Sequence, residues 1–271
     1  MQELALELRR VEGPRAAWHV GDIAWGLRLR IAGEDEWKIR LWEVEGSRGP
    51  RVVAWSWLRR DSGILDADVH PRLRGGPIHD ELLAEPDARK AWAMEGDDAT
   101  LDALRRNGFI GTGETMDFHV RDLAEPPEPP PLPDGFRYRT VEPVDLAERV
   151  AIHRDVWAPS RVTEESYANV RATWPYRASL DCVVEAPDGR FAAYCLVWPD
   201  DDNAVGELEP VGTREEFRGR GLGAAVCTFA LRRLHEEGGR QAVVYSVSEP
   251  AYALYASLGF RRHTGVVEYS R

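Results

Sequence analysis

Between Glu207 and Ala224 the chain reads Glu-Leu-Glu-Pro-Val-Gly-Thr-Arg-Glu-Glu-Phe-Arg-Gly-Arg-Gly-Leu-Gly-Ala. It begins as an apolar-alternating strand, passes through a glycine-rich turn and leads into an Ala/Leu-rich helix, expected from about Leu222 to Glu237. Strand, turn and helix of this kind build an anion site. The first turn of a helix carries N–H groups with no intrahelical acceptor, and the helix dipole is positive there. Gly219, Gly221 and Gly223 offer backbone without side chains, while Arg218 and Arg220 add positive charge. A plain glycine loop before a helix is the competing reading, since short glycine patterns recur widely.

The strand half narrows the choice. Pro210 has no N–H to donate to a ladder, and Gly212 two residues later points to a bulge or a close backbone approach. Such a disruption frees backbone groups of Val211, Gly212 and Thr213 for a ligand. A long molecule with amides at one end and phosphates at the other satisfies both halves, and coenzyme A is such a molecule.

Arg218-Gly-Arg-Gly-Leu-Gly223 fits the R/Q-x-x-G-x-G/A signature of the GNAT N-acetyltransferase superfamily. Ala251-Tyr-Ala-Leu-Tyr-Ala-Ser-Leu-Gly-Phe260 resembles that family's closing A-x-x-LY-xx-LGF segment. A strand-like Ala242–Val247 separates them. The resemblance covers about Phe136 to the C-terminus. It implies an α/β (α+β) fold with a mixed, mostly antiparallel sheet flanked by helices, and acetyl-CoA as cosubstrate. It also implies contacts to that donor from Val211 to Thr213, Arg218 to Ala224, Ser248 and Tyr255. Ser248 stands where the family often has Asn, which weakens that contact.

An internal repeat extends the reading. Val69-His-Pro-Arg-Leu-Arg-Gly-Gly76 aligns without gaps on Thr213–Arg220, and Leu104–Phe109 matches Tyr255–Phe260. Two copies of one fold follow. In the first copy Pro77 replaces Gly221, His79 replaces Gly223 and Leu104 replaces Tyr255. That copy is therefore expected to be degenerate and structural. The expected division is 1–123, a Pro-rich polyproline II spacer at 124–135, and an acetyl-CoA-binding domain at 136–271.

In the first half, Val20–Ile31, Glu36–Glu45 and Arg51–Leu58 alternate in a strand-like way. Seven of its tryptophans (Trp18, Trp25, Trp37, Trp42, Trp55, Trp57 and Trp92) are expected to pack in or against the sheet. A net charge of −11 argues against a general nucleic-acid binder and suits an amine substrate. No apolar run approaches a membrane span, and the acidic Met1–Glu7 is unlike a signal peptide, so a cytoplasmic monomer or homodimer is expected. Cys182, Cys195 and Cys227 lack metal spacing and are expected to be buried thiols; no metal is expected. In the second half, Phe136–Val141 is expected as a strand and Asp145 as the cap of a helix to Trp157. Thr163 should cap a second helix to Ala172, and Asp181–Ala186 and Phe191–Val197 should form a hairpin. Pro199–Asn203 is read as a turn. Trp157, Arg161, Tyr167, Trp174 and Tyr176 line a substrate pocket or pack in the core.

Acyl transfer from a thioester to an amine needs a base, an oxyanion donor and an acid for the leaving sulfur. Glu207 and Glu209 share one strand face and are the candidate bases, Glu209 first; a salt-bridged strand end or a water relay competes. The resemblance supplies the Val211 N–H as oxyanion donor and Tyr255 as acid. The expected function is acetylation of a small amine. A protein N-terminus or lysine as acceptor, and a non-catalytic CoA-binding module, are the alternatives.

Overall fold

The computed structural model describes residues 1–28, 37–46 and 49–271. The amphipathic first helix, α1 (Gln2–Glu12), buries Leu4, Ala5 and Leu8. Helix α2 (Val20–Arg28) follows. Here the expected strand over Val20–Ile31 is wrong for 20–28; the rest of it lies outside the described residues. Val20, Ile23, Ala24 and Leu27 recur at helical spacing, and Asp22 in the first turn suits the dipole. With α1 this helix covers Trp55 and Trp57, which are at most 1% exposed.

Strands β1 (Trp37–Gly46), β2 (Gly49–Arg59) and β3 (Ile64–Val69) form an antiparallel meander. Then come α3 (Pro77–Leu83), β4 (Lys90–Met94), α4 (Asp98–Arg106) and β5 (Ile110–Asp122). The proline-rich stretch has no regular structure but is held down. Leu132 packs on the core of the second half, the Tyr138 hydroxyl donates to the Pro130 carbonyl, and Arg232 pairs with Glu128.

The second half repeats the plan with β6 (Arg137–Thr140), α5 (Leu146–Val156), α6 (Glu164–Arg171), β7 (Asp181–Glu185), β8 (Phe191–Asp200) and β9 (Val205–Thr213). It ends with α7 (Leu222–Glu236), β10 (Gln241–Ser246), α8 (Glu249–Ser257) and β11 (Arg261–Ser270). Thr163 caps α6 as expected, accepting the Ser166 N–H at 3.1 Å. Asp145 holds the N-cap position of α5, but its carboxylate accepts the Glu142 N–H and pairs with Arg139 instead. Strand β8 runs on through Pro199 and Asp200, so the turn expected at Pro199–Asn203 begins later, at Asp201.

Among the described residues, eleven strands make one sheet in the order β1-β2-β3-β4-β11-β5-β10-β9-β8-β7-β6. The order shows a reciprocal exchange. Strand β5, from the first half, lies antiparallel to β10 of the second. Strand β11, from the second half, lies antiparallel to β4 of the first. The two exchanged strands pair with each other between them. The repeat read in the sequence recurs in the bonding: Phe109 N–H donates to the Leu104 carbonyl, and Phe260 N–H to the Tyr255 carbonyl, both at 3.0 Å.

Candidate active site

The disruption expected at Pro210 is a bulge. Cys195 pairs with Val211 and Val197 with Leu208, so Leu196 alone opposes Glu209 and Pro210. The Glu209 carbonyl leaves the ladder and accepts the Trp198 indole N–H at 2.7 Å. Gly212 has a packing reason: a Cβ there would lie 2.7 Å from the Tyr194 ring and 2.6 Å from Val156.

On its other edge β9 separates from its neighbour. Parallel pairing with β10 runs from Gln241–Val205 to Val243–Glu207 and stops. Strand β10 keeps its pairs with β5 through Ser246–Asp117, so β9 is the strand that turns away. Beyond the gap, Gly219 and Gly221 take left-handed φ of +74° and +76° with open space where a Cβ would point. Gly221 is the N-cap of α7. A Cβ on Gly223 would meet Thr213 Oγ1 at 3.1 Å, so its absence lets the helix sit close to the strand. Arg218, Gly219, Arg220 and Gly221 are exposed, while Leu222 is buried and Ala224 half-buried. The loop thus presents backbone and two guanidinium groups outward, a fitting place for phosphates.

The two faces of the sheet carry different chemistry at this gap. Leu208 packs with α7 and with Tyr255, which is 6% exposed. Burial raises the Tyr255 hydroxyl above its ordinary range, with Cys227 and Cys195 adding to the shift. Glu207 and Glu209 turn to the opposite face and meet Asp22 of α2; the three carboxylates lie within 4.8 Å of one another. Glu207 is 1% exposed, neither of its oxygens has a hydrogen-bond partner among the described residues, and its Oε2 is 3.4 Å from His19 Nδ1. Burial, then neighbouring carboxylates, push all three well above the usual carboxylate range: Glu209 beside Asp22, Glu207 beside Glu209, and Asp22 beside Glu207. His19 goes the other way, to about 3, because it is buried and Arg9 is near.

Asp22, Glu209 and Tyr245 border a cavity of about 400 Å³ that runs into the first half, between β3 and β4. Strands β3 and β4 pair only at Ile64–Lys90 and Leu65–Ala91 before they part. The first copy thus has its own gap, but its loop is closed. His79 Nδ1 accepts the Gly75 N–H at 3.1 Å, so a side chain holds the amide that the second copy leaves open.

Other candidates fall elsewhere. Tyr167 and Tyr176 donate to the buried Asp181, which also binds Arg149, so both belong to the network around that carboxylate. Trp157 and Trp174 are about half exposed. Ser248 is exposed at the N-cap of α8, with no side-chain capping bond. Two residues escaped the sequence reading. Asp22 lay in a segment read as strand. His119, on the exchanged β5, bonds Ser246 Oγ at 2.7 Å and packs its ring 6.3 Å from that of Tyr255.

Residues 149–260 match the acetyltransferase (GNAT) family. Mycothiol acetyltransferase of Actinosynnema mirum is 32% identical over 79% of this chain and 82% of that protein. The enzyme of that name from Amycolatopsis mediterranei is 30% identical over 77% and 75%. Among solved structures, a tandem GNAT protein from the clavulanic acid biosynthesis pathway has a TM-score of 0.70 at 21% identity, covering 100% of this chain and 93% of that one. A GCN5-related N-acetyltransferase from Sphaerobacter thermophilus has a TM-score of 0.68 at 18% identity, covering 100% and 90%. A divided sheet with a glycine loop at the gap defines an acyl-CoA-dependent transferase. The chain belongs to the GNAT acetyltransferase family, in its tandem form, and is an N-acetyltransferase. Acetyl-CoA is the family's acetyl donor.

Proposed function

We propose that the second half acetylates the amine of a small molecule by direct attack on the acetyl-CoA thioester. The observation that carries this reading is the split of roles across the β9/β10 gap. A cluster of raised carboxyls lies on one face and Tyr255 on the other. A thioester threaded through the gap has the amine side and the sulfur side separated by the sheet.

In this reading residues 136–271 bind the donor and residues 1–123 are a degenerate copy. Arg218 to Ala224 hold the pyrophosphate, and Val211 to Thr213 meet the pantetheine, with the Val211 N–H facing the carbonyl oxygen. Glu209, in its carboxylate form, takes the proton of the arriving ammonium; burial and the neighbouring Asp22 raise its proton affinity, which favours that transfer. The freed nitrogen attacks, the C–S bond breaks, and the thiolate takes a proton from the Tyr255 hydroxyl. Tyr255 regains one as the amide nitrogen sheds its second. Asp22 raises the proton affinity of Glu209, and Glu207, sealed behind Glu209, does not reach the substrate.

The cavity's volume of about 400 Å³ favours a small acceptor over a protein terminus or lysine. Relatives named mycothiol acetyltransferases support the same class and place mycothiol-type acceptors in any panel. The test is release of free thiol from acetyl-CoA across an amine panel. Amine-dependent release, lost in Glu209→Gln and Tyr255→Phe, supports the reading. Tight acetyl-CoA binding with no release for any amine returns the protein to a CoA-binding module.

A further inference from the structure

The cavity described above reaches beyond the carboxylates into the gap between β3 and β4. In a donor-binding copy, that gap is where a phosphate-tailed thioester runs. Here it cannot serve that purpose. Proline at 77 removes a loop amide, and His79 occupies the Gly75 N–H. Asp68 stands at the position matching Gly212, so a carboxylate borders the route where the second copy has no side chain.

The chemistry of the gap fits a different guest. Asp68 is 6% exposed; its Oδ1 accepts the Val69 N–H at 3.0 Å and lies 3.6 Å from Arg74, while its Oδ2 is buried with no hydrogen-bond partner. Arg74 is already engaged by Glu12 at 2.6 Å and Asp97 at 3.4 Å, and Arg59 by Asp66 at 2.5 Å. Among the described residues, three arginines and five carboxyl groups border the cavity, an excess of two acidic groups. His79 does not offset it, because burial pushes its ring down to about 4. A buried carboxylate short of counter-charge is costly, and a cationic guest relieves it.

We propose that the β3/β4 gap of the first half is the distal acceptor subsite, and that Asp68 there anchors a second cationic group on an amine whose reacting end lies between Asp22 and Glu209. The acceptor class is then a diamine or polyamine. This rests on the acetyltransferase reading of Glu209 given above. Burial, opposed by Arg74, holds Asp68 up at about 7, in keeping with a carboxyl that lacks enough positive charge when the gap is empty.

The test compares 1,4-diaminobutane, 1,6-diaminohexane and spermidine with monoamines of equal length, by calorimetric titration of the full chain and by thiol release from acetyl-CoA. The expected result is tighter binding and higher kcat/KM for the diamines, on the order of ten- to a hundred-fold. Asp68→Asn should bring the diamine down to the monoamine's value while acetyl-CoA still titrates with one site per chain. Equal binding of diamines and monoamines by the unaltered protein overturns the proposal without any variant. So does an Asp68→Asn protein that still takes up acetyl-CoA and prefers diamines as before. Failure of the acetyltransferase reading looks different: no thiol is released with any amine, whether or not calorimetry registers the diamine.

Discussion

Arg74 and Arg218 make the same hydrogen bond one repeat apart. Arg74 Nε donates to the Val69 carbonyl at 3.0 Å, and Arg218 Nε donates to the Thr213 carbonyl at 3.3 Å. Their surroundings have diverged. Arg74 is half-buried among Glu12, Asp68 and Asp97, whereas Arg218 is exposed with no ion pair among the described residues. One guanidinium has become structural, and the other remains available to an anion.

The two arginines therefore separate in their effects. Arg218→Ala is expected to weaken acetyl-CoA binding about ten-fold with little change in thermal stability, since a charge-assisted bond to phosphate contributes on that scale. Arg74→Ala leaves donor affinity as it was and costs about 3 kcal/mol, because it strands the buried Asp68 carboxylate. Calorimetric titration with acetyl-CoA and denaturant unfolding check both.

Chemistry should fail while donor binding is retained. Glu209→Gln and Tyr255→Phe are each expected to lower kcat by roughly 10²- to 10⁴-fold while the dissociation constant for acetyl-CoA stays within about two-fold. Glu207→Gln should retain far more turnover than Glu209→Gln. Equal losses in the two glutamine variants would place the base elsewhere.

Stability should fall with rising pH at the carboxylate cluster. Asp22, Glu207 and Glu209 are held above their ordinary values, so the folded chain keeps protons that the unfolded chain has released. Their contribution is complete below about pH 4, where the unfolded groups are protonated, and is lost as pH climbs toward the folded values. Glu207→Gln removes one such group. Its Tm is expected to match the unaltered protein near pH 4 and exceed it by about 3 °C near pH 8. Scanning calorimetry at the two pH values reads the difference.

Arg271 latches the exchanged strand. Its guanidinium donates to the carbonyls of Leu83, Ala88 and Asn107 at 3.0, 3.2 and 3.1 Å, and also to that of Glu85, and lies 4.4 Å from the Phe109 ring centre. Arg271→Ala is expected to cost about 1–3 kcal/mol, set by the carbonyls it leaves without a donor. Hydrogen exchange should rise along β4 and β5, in the first half, although the altered residue follows β11.

Local signals in the sequence were reliable where the chain's own neighbours decide the conformation. Pro210 and Gly212 marked the bulge, Pro187–Gly189 the hairpin, Thr163 a cap, and Gly219–Gly223 the loop. The repeat revealed two copies because Leu104 and Tyr255 precede the same turn. What stayed hidden depends on distant partners. Nothing local in Ile110–Asp122 says that it lies beside β10, so His119 went unnoticed next to Tyr255. Val20–Arg28 has two glycines and a tryptophan that dilute its helical spacing, and burial against Trp55, Trp57 and Trp198 decides its form. Asp22 was lost with it. The pair Glu207 and Glu209 was visible, but their third partner was not.

The reciprocal pairing of β4 with β11 bears on synthesis. Residues Lys90–Met94 leave the ribosome about 170 residues before their antiparallel neighbour does, at some 5–20 residues per second. Through that interval the β4 edge has no β11 to cover it, and β5, whose neighbours are β10 and β11, waits with both sides bare until β10 appears. The nascent first half is thus exposed to foreign strands until β11 arrives, and protection of that open edge in the cell falls to chaperones or to speed.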